Sequence, residues 1–290
     1  MPITYVEPGT YLFRFLNPNS SHFWSAVTDI LAEQNIFLSS RTQFNDPHDS
    51  NPEIEDDLSS SIIKAYAREM LANPWRPDRD PDDIVRILRL QAEGKTRLNK
   101  QQIANIKLRA HQSTKEFLDE CGLTSFSLTK DHPLLWGHYA AGYSGVCIVF
   151  RRGTSMQSGL CLCAKVHYVD ALPKLPLSLH YRLVRAQRAS KEYDELADRI
   201  LSLSFLHKFK HWEYEQEARI FHPSRASSKL SFEKSELVGI ILGPKSSRSL
   251  EEKLAAEISR LALTVRLARA SLSATDYKIA VPGMLETQES

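Results

Sequence analysis

The sequence predicts an α+β fold, because short strand patterns occur both before and after a long run of helical patterns. Strand patterns cover residues 11–15, 36–39, 123–128, 145–150, 162–168, 215–221, 237–242 and 264–267. Helical patterns cover residues 22–34, 57–72, 81–91, 100–120, 133–141, 179–207 and 248–261. We therefore expect a single α+β domain over residues 1–290 with a mixed β core, in which a helical insert, residues 51–120, forms a lid or wall.

Residues that favour the ends of helices and strands separate these elements. The polar residues 17–21 are typical of a helix N-terminus, and the helix after them places Phe23, Val27 and Ile30 on one apolar face. Residues 43–52 are rich in Asn, Asp, Ser and Pro and predict a loop, while the Pro-containing residues 73–80 separate the first two helices of the insert. The later strands are short apolar runs between turn signals.

Length and charge narrow the functional classes. The 290 residues include 37 basic and 35 acidic side chains, and the net charge of +2 excludes the broad cationic surface of a non-specific nucleic-acid binder, leaving room for a local basic groove. No run approaches the roughly 18 to 20 apolar residues of a membrane-spanning helix, and residues 1–13 lack the features of a signal peptide. We therefore expect a cytoplasmic protein with no membrane partner.

Motifs that hold nucleotides or metals in other protein classes are missing. The sequence has no G-x-G-x-x-G after a strand, no P-loop, no G-x-S-x-G and no H-E-x-x-H. Cys161 and Cys163 form a C-x-C pair in an apolar run, which predicts buried thiols on one face of a strand rather than a zinc site. We expect neither a disulfide framework nor a bound metal, so any nucleotide has to be held in another way.

The most informative segment is residues 208–221, K-F-K-H-W-E-Y-E-Q-E-A-R-I-F. If its strand begins at residue 214, the period of two places Glu215, Glu217 and Arg219 on one face. The two carboxylates are then about 7 Å apart at their Cα atoms, so both can address one ligand and each can perturb the pKa of the other. A solvated strand face with an ion pair between neighbours is the alternative.

The loop at residues 44–49, F-N-D-P-H-D, is a second candidate. Asn45 and Asp46 before Pro47 favour a tight turn, because their side chains bond nearby backbone groups. A ligand-facing or metal-facing Asp46 or Asp49 is the functional alternative to this structural interpretation.

Hydroxyl and aromatic side chains form a third candidate. A strand at residues 123–128 places Ser125 and Ser127 on one face, and a helix after residue 133 brings Trp136 close to Tyr139. Together they are suited to a wall for a flat ring, although a core position for Trp136 is an equal alternative.

Taken together, these motifs resemble a bacterial family described as a domain of unknown function. The family's hallmarks in this sequence are Tyr11 and Arg14 in the first strand, F-N-D-P at residues 44–47, S-F-S at residues 125–127, Trp136 and Tyr139 before Gly145, and Lys208, Trp212, Glu215, Glu217 and Arg219 in K-x-x-x-W-x-x-E-x-E-x-R. The resemblance covers residues 10–245. It departs from the family pattern at His48, whose role it leaves unexplained.

The order of these strands is similar to that of ADP-ribosyltransferases, which implies an ADP-ribosyltransferase-like core and NAD as substrate. In that similarity Arg14 grips the NAD pyrophosphate or ribose, Glu217 is catalytic, and Glu215 orients or deprotonates the acceptor. The other residues expected around NAD are Tyr11, Asn45, Asp46, Ser125, Ser127, Trp136, Tyr139 and Arg219. The analogy implies transfer to an unknown protein or nucleic-acid acceptor, in a bacterial toxin or a phage-defence effector.

Two other functions compete with this hypothesis. A metal-dependent nuclease or phosphodiesterase is consistent with hard oxygen ligands from the loop and the late strand, with Lys208 facing a phosphate. A non-catalytic nucleotide-sensing module is consistent with the same pocket without turnover. Sensitivity to a chelator distinguishes the first alternative, and NAD binding without nicotinamide release distinguishes the second.

Overall fold

The structure is a computed structural model that describes residues 3–59, 61–62, 100–187 and 190–281. Its strands are β1 Tyr11–Leu16, β2 Asn35–Leu38, β3 Glu53–Glu55, β4 Gly122–Ser127, β5 Val146–Arg151, β6 Ala164–Lys165, β7 His167–Val169, β8 Lys174–Pro176, β9 His207–Phe209, β10 Glu217–His222, β11 Ser228–Ser231, β12 Leu237–Leu242, β13 Arg266–Arg269, β14 Ser271–Leu272 and β15 Ile279–Ala280. Its helices are α1 Phe23–Leu31, α2 Lys100–Glu120, α3 Pro133–Tyr139, α4 Leu177–Arg185, α5 Lys191–Phe205 and α6 Arg248–Arg260.

A seven-stranded mixed sheet in the order β13-β12-β5-β1-β4-β10-β6 organises the described part of the chain. Its strand pairs are antiparallel except for β12 with β13, which run parallel. Side chains alternate across the strands, so Ile148 faces the core beneath α1 and α6, whereas Cys147 and Val149 face the cluster around Trp136 of α3. The mixed α/β character predicted from the sequence is therefore present.

The centre of the sheet opens between β1 and β4. Strand β1 pairs with β5 along its whole length, from Tyr11 with Arg151 to Leu16 with Val146, but it pairs with β4 at Phe13 and Ser127 alone. Beyond this pair the two strands separate. The split leaves room for a cavity at the middle of the sheet, where Arg14 of β1 faces β4.

The predicted insert is described in part. Helix α2 occupies residues 100–120 as expected, whereas the predicted helices over 57–72 and 81–91 lie, from residue 63 onward, outside the described residues. Leu118 of α2 packs with Leu179 of α4 and Ile200 of α5 in a separate apolar cluster. Among the described helices, none is long and apolar enough to cross a membrane.

The single helix predicted over residues 179–207 is wrong, because two helices form there. Helix α4 ends where Ala186 adopts an extended conformation, with φ −63° and ψ 139°. Helix α5 begins after Ser190, whose side chain accepts a hydrogen bond from the backbone N–H of Tyr193 at 3.1 Å. A helical periodicity on both sides of this break explains why the sequence pattern merged the two helices.

The strand predicted over residues 162–168 is wrong at the C-x-C pair, because β6 begins only at Ala164. Residues Gly159–Leu162 form a 3₁₀ turn, in which the side chain of Ser158 accepts a hydrogen bond from the N–H of Leu160 at 3.2 Å. Cys161 lies in this turn and Cys163 directly follows it. Cys161 and Cys163 are nevertheless buried free thiols, as the sequence predicted, and Cys121 and Cys147 are buried free thiols as well.

Replacing Gly145 by Ala is expected to lower the free energy of unfolding by about 1 to 3 kcal/mol. An added Cβ at this position lies 2.4 Å from the carbonyl oxygen of Leu16 and 2.8 Å from the Cα of Ala140, so backbone has to move. Urea denaturation measures the loss. Gly137→Ala in α3 is the control, because nothing lies within 4 Å of its Cβ and stability should not fall. Equal stability of the two variants would contradict the close packing of Gly145 against the backbone of Leu16 and Ala140.

Candidate functional site

A cavity of about 630 Å³ lies at the split between β1 and β4, within the range of 300 to 1,000 Å³ that is usual for ligand pockets. Its walls come from β1, the loop after β2, β4, α3 and the segment around β9 and β10. The predicted site residues that line it are Arg14, Asn45, Asp46, Ser125, Ser127, Tyr139, Glu215 and Glu217. Side chains far apart in the sequence therefore meet at one cavity.

The two glutamates converge on the side chain of Lys208. Residues Lys210–Glu215 form a 3₁₀ helix, and Gln216 then adopts a left-handed conformation with φ 43° before β10 begins at Glu217. The Lys208 Nζ donates to Glu215 Oε2 at 2.5 Å and to Glu217 Oε2 at 2.9 Å. The expectation that Glu215 lies on the strand is therefore wrong, because a turn rather than strand periodicity brings the carboxylates together.

Arg219 lies behind the cavity and is fully buried. Its guanidinium bonds both carboxylate oxygens of Asp49, at 2.7 and 2.6 Å, and both oxygens of Glu217, at 2.6 and 2.8 Å. It also donates to the hydroxyl of Ser50 and the carbonyl of Phe205, each at 2.9 Å. Arg219 is thus committed to internal partners and does not line the cavity, in contrast to its expected contact with NAD.

The charges of this network keep Glu217 ionised. Burial alone raises the pKa of Glu217, but Arg219 and Lys208 outweigh burial and lower this pKa to about 2. Burial likewise opposes a charged Lys208, yet Glu217 and Asp49 hold the pKa of its amine above the usual value. A buried carboxylate and a buried ammonium therefore stay charged side by side.

The two glutamates differ in the hydrogen bonds that they can still accept. A carboxylate accepts about four hydrogen bonds, and Glu217 already receives three, two from Arg219 and one from Lys208. Glu215 receives one from Lys208 and one from the Tyr139 hydroxyl, at 2.6 Å. Among described partners, Glu215 therefore has more acceptor positions left for a ligand than Glu217.

Two hydroxyl groups, those of Ser127 and Tyr139, hold Glu215 in place. Ser127 of β4 donates to the backbone carbonyl of Glu215 at 2.6 Å. Burial and the nearby Glu215 raise the pKa of Tyr139, so its hydroxyl remains a donor at neutral pH. Both the main chain and the side chain of Glu215 are thus fixed before any ligand binds.

Arg14 carries a cation without an acidic partner in the described part of the chain. Its Nη1 donates to the Thr124 hydroxyl and to the Ser125 carbonyl, the latter at 3.2 Å, across the split between the strands. Burial lowers the pKa of Arg14 to about 10, which still leaves it charged at neutral pH. A planar guanidinium with unused N–H groups at a cavity wall is suited to an anionic group such as a phosphate.

The segment that supplies Tyr139, Lys208 and both glutamates matches a family model. It is Protein of unknown function (DUF2971), found at residues 135–220. The match confirms the resemblance to a domain of unknown function and contains Trp136, Trp212 and Arg219 as well. Arg14 and the loop at residues 44–49 lie outside the matched residues. No curated protein and no solved structure matches the chain.

Two aromatic residues expected at the ligand belong to the apolar core instead. Trp136, at the start of the DUF2971 match, is fully buried, packs edge-on against Phe15 at 5.1 Å and donates to the Lys130 carbonyl at 2.7 Å. Tyr11 packs against the same cluster, with the guanidinium carbon of Arg151 at 5.9 Å from its ring. Neither Trp136 nor Tyr11 lines the cavity, because both pack into this apolar cluster.

Sequence reasoning also gave no ligand role to Phe44 and Trp212, which are among the aromatic residues that line the cavity. The indole of Trp212 donates to Asp46 Oδ2 at 3.2 Å, and the Lys208 Nζ lies 5.2 Å from its ring centre. Asp46 Oδ1 accepts from the N–H of His48 at 2.8 Å and fixes the loop turn. Phe44 belongs to the motif F-N-D-P and Trp212 to the motif K-x-x-x-W. These motifs were the sequence signal that could have identified the two residues.

The ammonium group of Lys208 lies among three carboxylates, and its positive charge offsets their mutual repulsion. Its Nζ lies 3.5 Å from Asp49 Oδ2 in addition to its bonds with the two glutamates. Among the described residues, no group of three or more His, Cys, Asp or Glu side chains is arranged to hold a metal ion.

Proposed function

We propose that the cavity binds NAD and that the protein cleaves the bond between nicotinamide and ribose, transferring ADP-ribose to a macromolecular acceptor. One observation carries this proposal. A single cavity contains an arginine without an acidic partner among the described residues, Arg14, and the buried acidic pair Glu215 and Glu217. An anionic nucleotide with a reactive sugar needs both kinds of group.

The binding step follows from the cavity walls. The pyrophosphate of NAD meets the unused N–H groups of Arg14 at the split between β1 and β4, where charge-assisted hydrogen bonds are strong. Phe44, Trp212 and Tyr139 offer aromatic surfaces to the planar rings of the dinucleotide. The sugar between these groups is then directed toward the acidic pair.

The chemical step depends on the fixed carboxylates. As the bond from ribose C1′ to nicotinamide breaks, its electron pair leaves with nicotinamide and positive charge grows on the ribose. A carboxylate held in advance stabilises this charge more in the transition state than in the ground state. Its open acceptor positions make Glu215 the carboxylate that contacts the ribose, while the ionised Glu217 adds negative charge and positions Lys208. The catalytic role that the resemblance gave to Glu217 is therefore shared between Glu215 and Glu217 in this proposal.

The similarity to ADP-ribosyltransferases supports the same proposal. Its arginine strand, serine strand and late acidic strand correspond to β1, β4 and β10, which are consecutive neighbours in the sheet. An ADP-ribosyltransferase-like core is therefore part of the proposal. The setting that the similarity implies, a bacterial toxin or a defence against phage, stays a prediction of it.

Arg14→Ala is expected to weaken NAD binding about 10-fold to 100-fold, because a hydrogen bond to a charged group contributes about 1.5 to 3 kcal/mol. Calorimetry measures the affinity, and chromatography of the same samples measures released nicotinamide. Arg151→Ala is the matched control, since it removes the same charge from an exposed position on β5.

Three outcomes separate the candidate functions. Unchanged NAD affinity in Arg14→Ala would contradict the proposed binding mode. Tight NAD binding by the wild-type protein without nicotinamide release would instead favour a sensing module. Hydrolysis of a phosphodiester that stops in EDTA and returns with Mg²⁺ would favour a phosphodiesterase.

A further inference from the structure

A second cavity of about 280 Å³ adjoins the first one. Asp46, Asp49 and Lys208 line both cavities, so these three side chains form a common wall. The other walls of the second cavity include the polar His48 and His207 and the apolar segment at residues 171–173. Its size suits one side chain or one sugar rather than a dinucleotide.

His207 lines this second cavity, and one of its ring nitrogens is basic. Its Nδ1 lies 2.8 Å from the carbonyl oxygen of Ser202, and since a carbonyl only accepts, Nδ1 carries the proton. The neutral ring then has its lone pair on Nε2, which has no hydrogen-bond partner among the described residues. Burial lowers the pKa of His207, His167 lowers it further, and together they outweigh the bond to Ser202. The ring is therefore neutral and ready to accept a proton near pH 7.

The carboxylates of the common wall are already engaged. Both oxygens of Asp49 bond Arg219, and the oxygens of Asp46 bond the N–H of His48 and the indole of Trp212. The Lys208 ammonium beside them repels a second cation. Asp170 also lines this cavity and can attract a cation, so the choice of an acceptor that gives up a proton rests on the base His207 in the same wall.

We propose that the second cavity is the acceptor site and that His207 is the general base that deprotonates an acceptor hydroxyl group. This inference rests on the proposed function. In the transfer step the acceptor oxygen bonds to ribose C1′, the bond from C1′ to nicotinamide breaks with its electron pair leaving on nicotinamide, and the hydroxyl proton passes to Nε2. His207 then releases this proton to solvent.

Chain geometry supports this assignment. His207 directly precedes Lys208 in β9, and the Lys208 side chain reaches both glutamates of the larger cavity. Because Asp46, Asp49 and Lys208 line both cavities, an acceptor in the second cavity adjoins the cavity that holds the reacting sugar in our proposal. Positioned general bases contribute about 100-fold to 10,000-fold to such steps.

His207→Asn tests the inference, because the Asn amide can still donate to the Ser202 carbonyl while it offers no base. With NAD as donor and N-acetylserinamide as acceptor probe, the variant is expected to lose about 100-fold in transfer while its NAD affinity stays unchanged. His22→Asn, at an exposed histidine that lines neither cavity, is the matched control and should keep its transfer activity. His207→Gln is a second neutral replacement, and it should show the same loss if the Asn variant fails to fold.

The outcomes distinguish this inference from the function on which it rests. Full transfer activity in a folded His207 variant would overturn the role of His207, even though NAD is still cleaved. Transfer by the wild-type protein to agmatine but not to N-acetylserinamide would overturn the choice of a hydroxyl acceptor. Absence of nicotinamide release from NAD by the wild-type protein would reject the proposed function itself.

Discussion

Replacing Glu215 by Gln is expected to lower the turnover of NAD about 100-fold or more, because the variant lacks the negative charge that faces the ribose. The fold should tolerate this change. Lys208 keeps Glu217 at 2.9 Å and Asp49 at 3.5 Å, and the Gln carbonyl can still accept from Tyr139. Nicotinamide release measures the turnover, and urea denaturation measures the free energy of unfolding.

Glu213→Gln is the matched control for this experiment. Glu213 lies in the same 3₁₀ helix as Glu215, but its side chain is exposed and does not line the cavity. The control should keep both turnover and stability. Equal turnover in Glu215→Gln and the wild-type protein would remove Glu215 from the mechanism.

Arg219→Met is expected to have the largest effect on stability, a loss of about 3 to 5 kcal/mol in the free energy of unfolding. The substitution leaves Asp49 and Glu217 buried without the guanidinium that bonds all four of their oxygens. Desolvated carboxylates without partners are costly, and Lys208 alone cannot replace Arg219. Urea denaturation followed by circular dichroism measures the loss.

The control for Arg219→Met is Arg260→Met, which removes an ion pair with Glu257 on the exposed surface of α6. A pair in water contributes little, so this variant should resemble the wild-type protein. Similar stability of the two variants would show that the buried network does not hold this part of the fold together.

Elements with strong local patterns were predictable from the sequence. The apolar face of α1, the whole of α2 and the whole of β12 follow from periodicity within each segment. The parallel pairs of β3 with β8 and of β7 with β9 were missed, because strands of three residues carry too little pattern. Their partners are decided by tertiary contacts.

The sequence predicted which residues form the candidate site better than it predicted how these residues are arranged. Strand periodicity correctly placed Glu217 and Arg219 close together, but no local pattern shows that Asp49 lies opposite Arg219, about 170 residues away in sequence. For Trp136 the helical pattern allowed either a core or a ligand position, and packing against Phe15 decided between them. The position of Lys208 between Asp49 and the two glutamates could not be predicted either, because these contacts form only in the folded chain.

The conformation of Gln216 limits what the letters E-x-E can mean in related sequences. A middle residue at φ 43° suits Gly, Asn or an unbranched side chain, whereas Val or Ile there meets a steric penalty. A chain with a β-branched residue in this position keeps both acids yet resists the bend that aims them at one lysine. Searches for distant relatives should therefore weigh the intervening residue as heavily as the acids themselves.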